Sequence, residues 1–241
     1  MSAHEVMPGA VESAAGTLAG QLAEAIRGRA EPRAEPFCLH RRVAAQAEPV
    51  PALAAVRVLG ADALTAALLA GHAFPAADAA LVHAAVGAFP APPEGAADRE
   101  LWAWRDQALA GALGELGVAT DGWEGLATTA GTADPAEPPH WVPWCVDLAR
   151  LSSLALPPLA SPLRDQARRH RLDLTRGMTR ALLRRDHLSA ARLARWLALD
   201  HQHAPEPLLA PAIEHLEQLA FDQPRTMLET VLARYLLEGG R

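Results

Sequence analysis

The sequence predicts an all-α protein of about 10–12 mostly antiparallel helices, in a bundle or an array of helical pairs, with no significant sheet. Three observations carry that prediction. Alanine and leucine supply 54 and 36 of the 241 residues, and both stand near the top of the helix-propensity scale. Val, Ile and Thr together number only 24, and no run alternates apolar with polar side chains long enough to make a strand. Most of the 20 prolines stand at junctions between apolar-periodic segments, where the missing N–H of a first helical turn costs nothing. Helix content well above the ~30–35% of ordinary domains is therefore expected.

Along the chain, periodicity and stop signals place helices at 9–29, 37–46, 51–59, 61–72, 75–88, 98–117, 121–130, 142–156, 162–185, 188–200, 207–220 and 224–238. Asp121-Gly-Trp-Glu124 has the spacing of a capping box, which is why a helix is placed after it. Ser161-Pro162 reads as an N-cap followed by the first helical residue. Gly239-Gly240 stops the last helix just beyond Leu237. No fixed period of ~20–50 residues marks a TPR or HEAT array. Two Pro-rich segments interrupt the pattern, 90–97 (PAPPEGAA) and 131–140 (GTADPAEPPH). The chain is expected to form a single all-α domain over 1–241; if it divides, the first segment separates helical halves 9–89 and 98–238.

All 22 basic residues are arginine, and lysine is absent. That excludes a phosphate-binding P-loop, a protein-kinase site and Schiff-base chemistry, each of which needs an ε-amine. The six serines include none in a G-x-S-x-G turn, and no G-x-G-x-x-G follows a strand-like run. Cys38 and Cys145 are too far apart for a C-x-x-C motif and too few for a disulfide framework. Arginine, alanine and proline enrichment with little isoleucine is also what codon drift in a GC-rich bacterial genome produces. The start of the chain shows no basic segment leading into an apolar one. The longest uncharged stretches, 63–77 and 79–93, fall short of the ~20 residues of a membrane helix. A cytoplasmic protein with no membrane partner is expected, and its net charge of −6 disfavours general nucleic-acid binding.

The C-terminal third carries an acid–histidine dyad every 14 residues, at Asp186-His187, Asp200-His201 and Glu214-His215, with His203 close by. Imidazoles with carboxylates suit Fe, Zn or Mn, and helical bundles build such sites from facing helices. His187, His201, His203, Glu214 and His215 are the candidate ligands. Pro205, Pro207 and Pro211 forbid one continuous helix, so the dyads have to converge from separate ones. Glu137-x-x-His140 spans two prolines and cannot be helical. The plainer reading has His201 and His203 complementing a helix C-terminus and the others on the surface. No cofactor motif is evident beyond this.

Residues 161–200 carry ten Arg against four Asp, whereas residues 1–150 carry nine Arg against eighteen acidic residues. On a continuous helix over 162–185, Arg169, Arg176, Arg180 and Arg184 form one stripe beside Leu163, Ala167, Leu174, Met178 and Ala181. Such a stripe binds carboxylate or phosphate through forked guanidinium contacts, and the Arg-rich region 164–195 leaves nucleic acid open. The negative net charge favours internal pairing with the acidic first part of the chain.

His170 falls on the apolar side of the same segment. Arg164 and His170 have the R-x(4–6)-H spacing of HEPN-type helical ribonucleases, in which an Arg and a His act on the scissile phosphate. Arg195 and His201 have that spacing too, so it assigns no family. Five of the six tryptophans lie between 102 and 144. Most fill the core, while Trp141 and Trp144, in the stretch His140–Cys145 that enters a helix, are the expected exposed pair. The leading expectation is an accessory or adaptor protein that binds a protein or peptide partner through Trp141, Trp144 and the arginine stripe. The alternatives are a metal-dependent oxidase or hydrolase and, more weakly, a helical ribonuclease-like activity resting on Arg164 and His170.

Overall fold

A computed structural model of the chain describes residues 7–28, 36–71, 74–127, 137–138 and 140–239. About 70% of them are helical and none is in a strand, as the composition predicts. Contacts divide the chain into two units, Met1–Thr129 and Ala130–Arg241. The Pro-rich segment 90–97 therefore lies inside the first unit, and the division falls beside the second Pro-rich segment.

The first unit contains α1 (Pro8–Gly28), α2 (Leu39–Ala44), α3 (Pro49–Leu59), α4 (Thr65–Ala70), α5 (Ala76–Ala88) and α6 (Arg99–Glu115). Alanines let α1 and α3 approach closely: Ala14 and Ala15 of α1 pack with Ala55 of α3. The run Pro49–Leu69 is long and apolar enough to cross a membrane, but 72% of its apolar window is buried within the protein, as in a core helix. Two polar devices fix this unit. The buried Asp78 of α5 accepts the backbone N–H groups of Leu39 (2.9 Å) and His40 (2.8 Å), capping α2 from another helix. Arg57 of α3 forks onto the buried carboxylate of Asp106 on α6 and donates its Nε–H to the Phe89 carbonyl at 2.9 Å.

Of the helix predicted at 121–130, residues 121–127 form turns, and 128–130 lie outside the described residues. Gly122 and Gly125 adopt φ of 76° and 96°, which a helix cannot accommodate. The Gly125 carbonyl accepts the Ala91 N–H at 2.8 Å, and a Cβ on Gly125 would lie 2.6 Å from the Val86 carbonyl oxygen. The capping-box spacing here therefore belongs to a tight loop packed against α5, not to a helix start.

The second unit contains α7 (Trp141–Arg150), α8 (Pro162–Arg169), α9 (Arg171–Leu183), α10 (His187–Leu199), α11 (Leu209–Leu219) and α12 (Pro224–Leu237). Helix α10 is its hub, packing on α12, α9, α11 and α7. Trp196 of α10 is fully buried and donates its indole N–H to the Leu148 carbonyl of α7 at 2.9 Å. Ser161 caps α8 as predicted, its Oγ accepting from Leu163 at 3.2 Å. Two predicted helices are shorter than expected. The one placed at 142–156 ends at Arg150 and gives way to a 3₁₀ turn, Ser152–Leu154. The one placed at 162–185 breaks at His170, where φ and ψ are −102° and 30°. Between Arg164 and Asp173 only Ala167 and Leu172 are apolar, too few for periodicity to specify a continuous helix.

The core of this unit holds a charge cluster. Glu229 of α12, only 4% exposed, accepts from Arg195 (3.0 Å), Arg192 (3.1 Å) and Ser152 (2.8 Å). Arg195, fully buried on α10, also donates its Nε–H to the Ala155 carbonyl at 3.0 Å. Burial opposes ionisation of Glu229, but the charges of Arg195 and Arg192 outweigh it and hold the carboxyl below the usual glutamate range. Removing one partner of a buried pair leaves an uncompensated charge. Glu229→Ala is therefore expected to lower unfolding free energy by ~3–5 kcal/mol, measured by urea titration of helix circular dichroism. A loss below about 1 kcal/mol, the range of exposed pairs, would show that the cluster does not hold the core.

Candidate functional site

Gly177, in the middle of α9, sets the distance between α7 and α9: a Cβ there would lie 2.6 Å from the Cys145 sulfur. Cys145 is itself tied to α9, donating its thiol to the Asp173 carbonyl at 3.4 Å. Burial, reinforced by the Asp173 charge, pushes that thiol up to about 12, so it stays neutral and is no nucleophile near pH 7. A groove of about 640 Å³ is lined by Trp141, Thr175, Thr179, Leu183 and Leu208 together with Arg176, Arg180 and Arg184. The Cys145–Gly177 contact itself lines a smaller cavity of about 230 Å³, which shares Trp141, Arg180 and Arg184 with the groove and continues to Val142, Val146, Ala181 and Leu193, with Asp186 and Ser189 also lining it.

Each wall has a local cause. Trp141 opens α7, whose first turn is capped by the His140 ring: Nδ1 accepts the Val142 N–H at 3.2 Å. The imidazole lies nearly parallel to the Trp141 indole, 6.4 Å away between centroids. Leu208, 53% exposed, is held by Glu206, whose carboxylate accepts the Leu208 N–H (3.2 Å) and the Thr175 hydroxyl (2.8 Å). Leu183, the last residue of α9, is 82% exposed. Beyond it the N–H groups of Arg185 and Asp186 return to the Leu182 and Ala181 carbonyls, both at 3.0 Å, with Arg185 in the left-handed region at φ 60°. This is a Schellman closure with arginine where glycine is usual. Asp186 then caps α10 by accepting the Ser189 N–H at 3.1 Å.

The break at His170 corrects the predicted arginine stripe. Arg169 ends α8, apart from α9, and pairs with Glu137 at 3.0 Å. Arg176, Arg180 and Arg184 remain at one-turn spacing along α9 and its C-cap. Arg176 pairs with Asp173 at 2.9 Å. Arg180 and Arg184 make no ion pair among the described residues, so the expected internal pairing accounts for only part of the stripe. Trp141 lines the groove, but Trp144 is buried and donates its indole N–H to Gln166 at 2.8 Å. It belongs to the core and offers no contact surface: three residues from Trp141 it starts on nearly the same side of α7, but its indole turns to Gln166 of α8.

His170 sits in the turn between α8 and α9, not on a helical stripe. Its Nε2 donates to Glu137 at 2.6 Å, and its ring meets Trp144 edge-on at 5.4 Å between centroids. Hydrogen bonds from His170 and then Arg169 hold the Glu137 carboxyl below its usual range. Arg164 turns instead to Asp200 (3.2 Å), which Arg168 also meets at 2.6 Å. Arg164 and His170 thus engage different carboxylates. His187 opens α10, His201 and His203 lie in the turn after it, and Glu214 and His215 are exposed on α11. His201 accepts the Glu206 N–H at 3.4 Å. Among the described residues no three His, Cys, Asp or Glu side chains come together as a metal site.

Sequence reasoning missed Leu183, Leu208, Thr175, Glu206 and Gly177. The only signal was Gly177 itself, a helix-interior glycine. Despite the better helix propensity of alanine, Gly177→Ala is expected to cost ~1–3 kcal/mol through overpacking against Cys145. Cys145→Ala should relieve most of that cost in the double variant; simple additivity in thermal unfolding would refute the contact. A second expectation concerns acid. Burial opposes ionisation of Asp200, but hydrogen bonds from Arg168 and Arg164 outweigh it and keep the carboxyl below its ordinary value. Asp200, Glu137 and Glu229 therefore all titrate lower when folded than unfolded. Their stabilisation is full above the unfolded range of about 3.9–4.3 and is lost as pH falls through the folded values. The melting temperature should drop below about pH 4, and less steeply in Asp200→Asn. A melting temperature unchanged down to about pH 2.5 would contradict this.

No known protein family, curated protein or solved structure matches this chain.

Proposed function

We propose that the chain is a non-catalytic accessory or adaptor protein whose α7–α9 groove takes an acidic, partly apolar segment of a protein partner. One observation carries this reading: exposed apolar side chains, Leu183 and Leu208, share a groove with Trp141 and with Arg180 and Arg184, which have no ion-pair partner among the described residues. Covering a leucine side chain is worth ~1.5–3 kcal/mol when fully achieved, so the groove gains from an apolar occupant. Guanidinium groups beside it favour carboxylates, which they meet through two parallel hydrogen bonds. Trp and Arg are also the side chains on which binding energy concentrates. The overall charge of −6 disfavours extended polyanions such as nucleic acid, whose phosphates would meet net repulsion outside the groove. The metal-dependent and ribonuclease-like alternatives have less behind them, with the histidines spread apart and Arg164 and His170 engaged elsewhere.

Fluorescence anisotropy with labelled peptides tests the reading. Peptides combining Asp or Glu with Leu should bind, while matched peptides with Lys or Arg in place of the acids should not. Affinity should fall about tenfold or more as salt rises from roughly 50 to 500 mM, because exposed charges are then screened. Arg180→Glu with Arg184→Glu should abolish binding and leave helix content unchanged. Equal affinity for the basic peptides, or full affinity in the double variant, would overturn the proposal.

A further inference from the structure

We infer that the occupant of this groove is an α-helix, with carboxylates on every fourth residue facing α9 and one apolar residue entering the smaller cavity. The inference rests on the acidic-partner reading above and adds the conformation and register of the partner.

The backbone supplies the first argument. An extended segment needs partners for its N–H and C=O groups along its length, and strand addition finds them on an open sheet edge. No strand exists among the described residues. The flanking elements here are helices, whose interior backbone groups are already bonded within each helix, beside apolar side chains. A helix satisfies its own backbone and loses nothing on entering such a site.

Register supplies the second. Arg176, Arg180 and Arg184 follow one another at intervals of four residues, so their origins span about 12 Å along α9 at ~1.5 Å per residue. A helix lying along α9 presents carboxylates at the same interval when they too stand at i, i+4 and i+8. Arg176 already holds Asp173, so the middle and last positions, opposite Arg180 and Arg184, carry the selectivity. The smaller cavity supplies the third argument. Trp141, Arg180 and Arg184 line both spaces, so a side chain leaving the groove passes among them to reach Val142, Val146 and Leu193. Asp186 lines that cavity as well and repels a carboxylate, so the entering side chain is apolar.

The test uses the full chain and three peptides of one composition, titrated by calorimetry. The first has Glu at i, i+4 and i+8 with a Leu beside the middle Glu, and is held helical by a side-chain lactam. The second has the same residues scrambled so that the acids fall on all faces, and the third carries a central proline. The first is expected to bind at least about tenfold tighter than the others, since loss of one well-placed charged contact costs that much. Replacing its middle Glu with Arg should abolish binding to the native chain and restore it to Arg180→Glu. Val146→Glu, at an exposed position, should weaken the Leu-bearing peptide about tenfold and leave a version with Ala in its place unaffected. If all three peptides bind equally and basic ones do not, the acidic-partner reading stands and the helical inference falls. If none binds, or if single-stranded RNA of equal charge binds more tightly than all of them, both fall.

Discussion

Glu229 is the buried acceptor on which the second unit depends. It ties α12 to α10 through Arg192 and Arg195, and to the turn after α7 through Ser152. Once α10 is placed, Trp196 fixes α7 through the Leu148 carbonyl. Helix α7 in turn fixes α9, because Cys145 fills the space that any side chain on Gly177 would need. That contact lines the smaller cavity, which shares Trp141, Arg180 and Arg184 with the groove. The groove is thus linked to the Glu229 charge cluster through α10, α7 and α9.

The first unit uses the same device independently. Arg57 forks onto Asp106 and gives its Nε–H to the Phe89 carbonyl, as Arg195 engages Glu229 and gives its Nε–H to the Ala155 carbonyl. In each case one flat guanidinium binds a carboxylate and a loop carbonyl at once. A lysine ammonium lacks that fixed fork. Whatever drove lysine from the sequence, arginine gives these cores a cross-link that alanine-rich helices, with little apolar area per residue, cannot supply through packing alone. Arg105 of α6, placed over the face of Trp102, extends the same chemistry to an aromatic ring.

The sequence made the helices legible because their causes are local. Alanine and leucine favour the helix, prolines and a serine cap mark several starts, and few β-branched residues compete. The failures also have physical reasons. Asp121-Gly-Trp-Glu124 satisfies the capping-box pattern, but the packing of Gly125 on the Val86 carbonyl decides its backbone, and that contact is 39 residues away in sequence. The break at His170 lies in a segment too polar for apolar spacing to reveal it. Trp144 faced two equally local readings, and only Gln166, on another helix, draws its indole inward. At the groove, Trp141 and three of the four stripe arginines were legible by type and spacing. Leu208 was not, since its place depends on Glu206 reaching Thr175.

What separates the groove from the rest of the second unit is which side chains are already committed. Glu137 is held by His170 and Arg169, Asp200 by Arg164 and Arg168, and Glu206 by Thr175. The Cys145 thiol is neutral and inward. Beside the groove, Glu206 is engaged by Thr175 and Asp173 by Arg176. Among the described residues at the groove, Arg180 and Arg184 make no ion pair, and Leu183 and Leu208 are exposed. They bring fixed charge and apolar surface together in one place, the combination on which the proposed acidic partner rests. Arg185, in the left-handed region at φ 60°, costs about 1–2 kcal/mol that glycine would not, and it completes the closure that ends α9 just beyond Arg184.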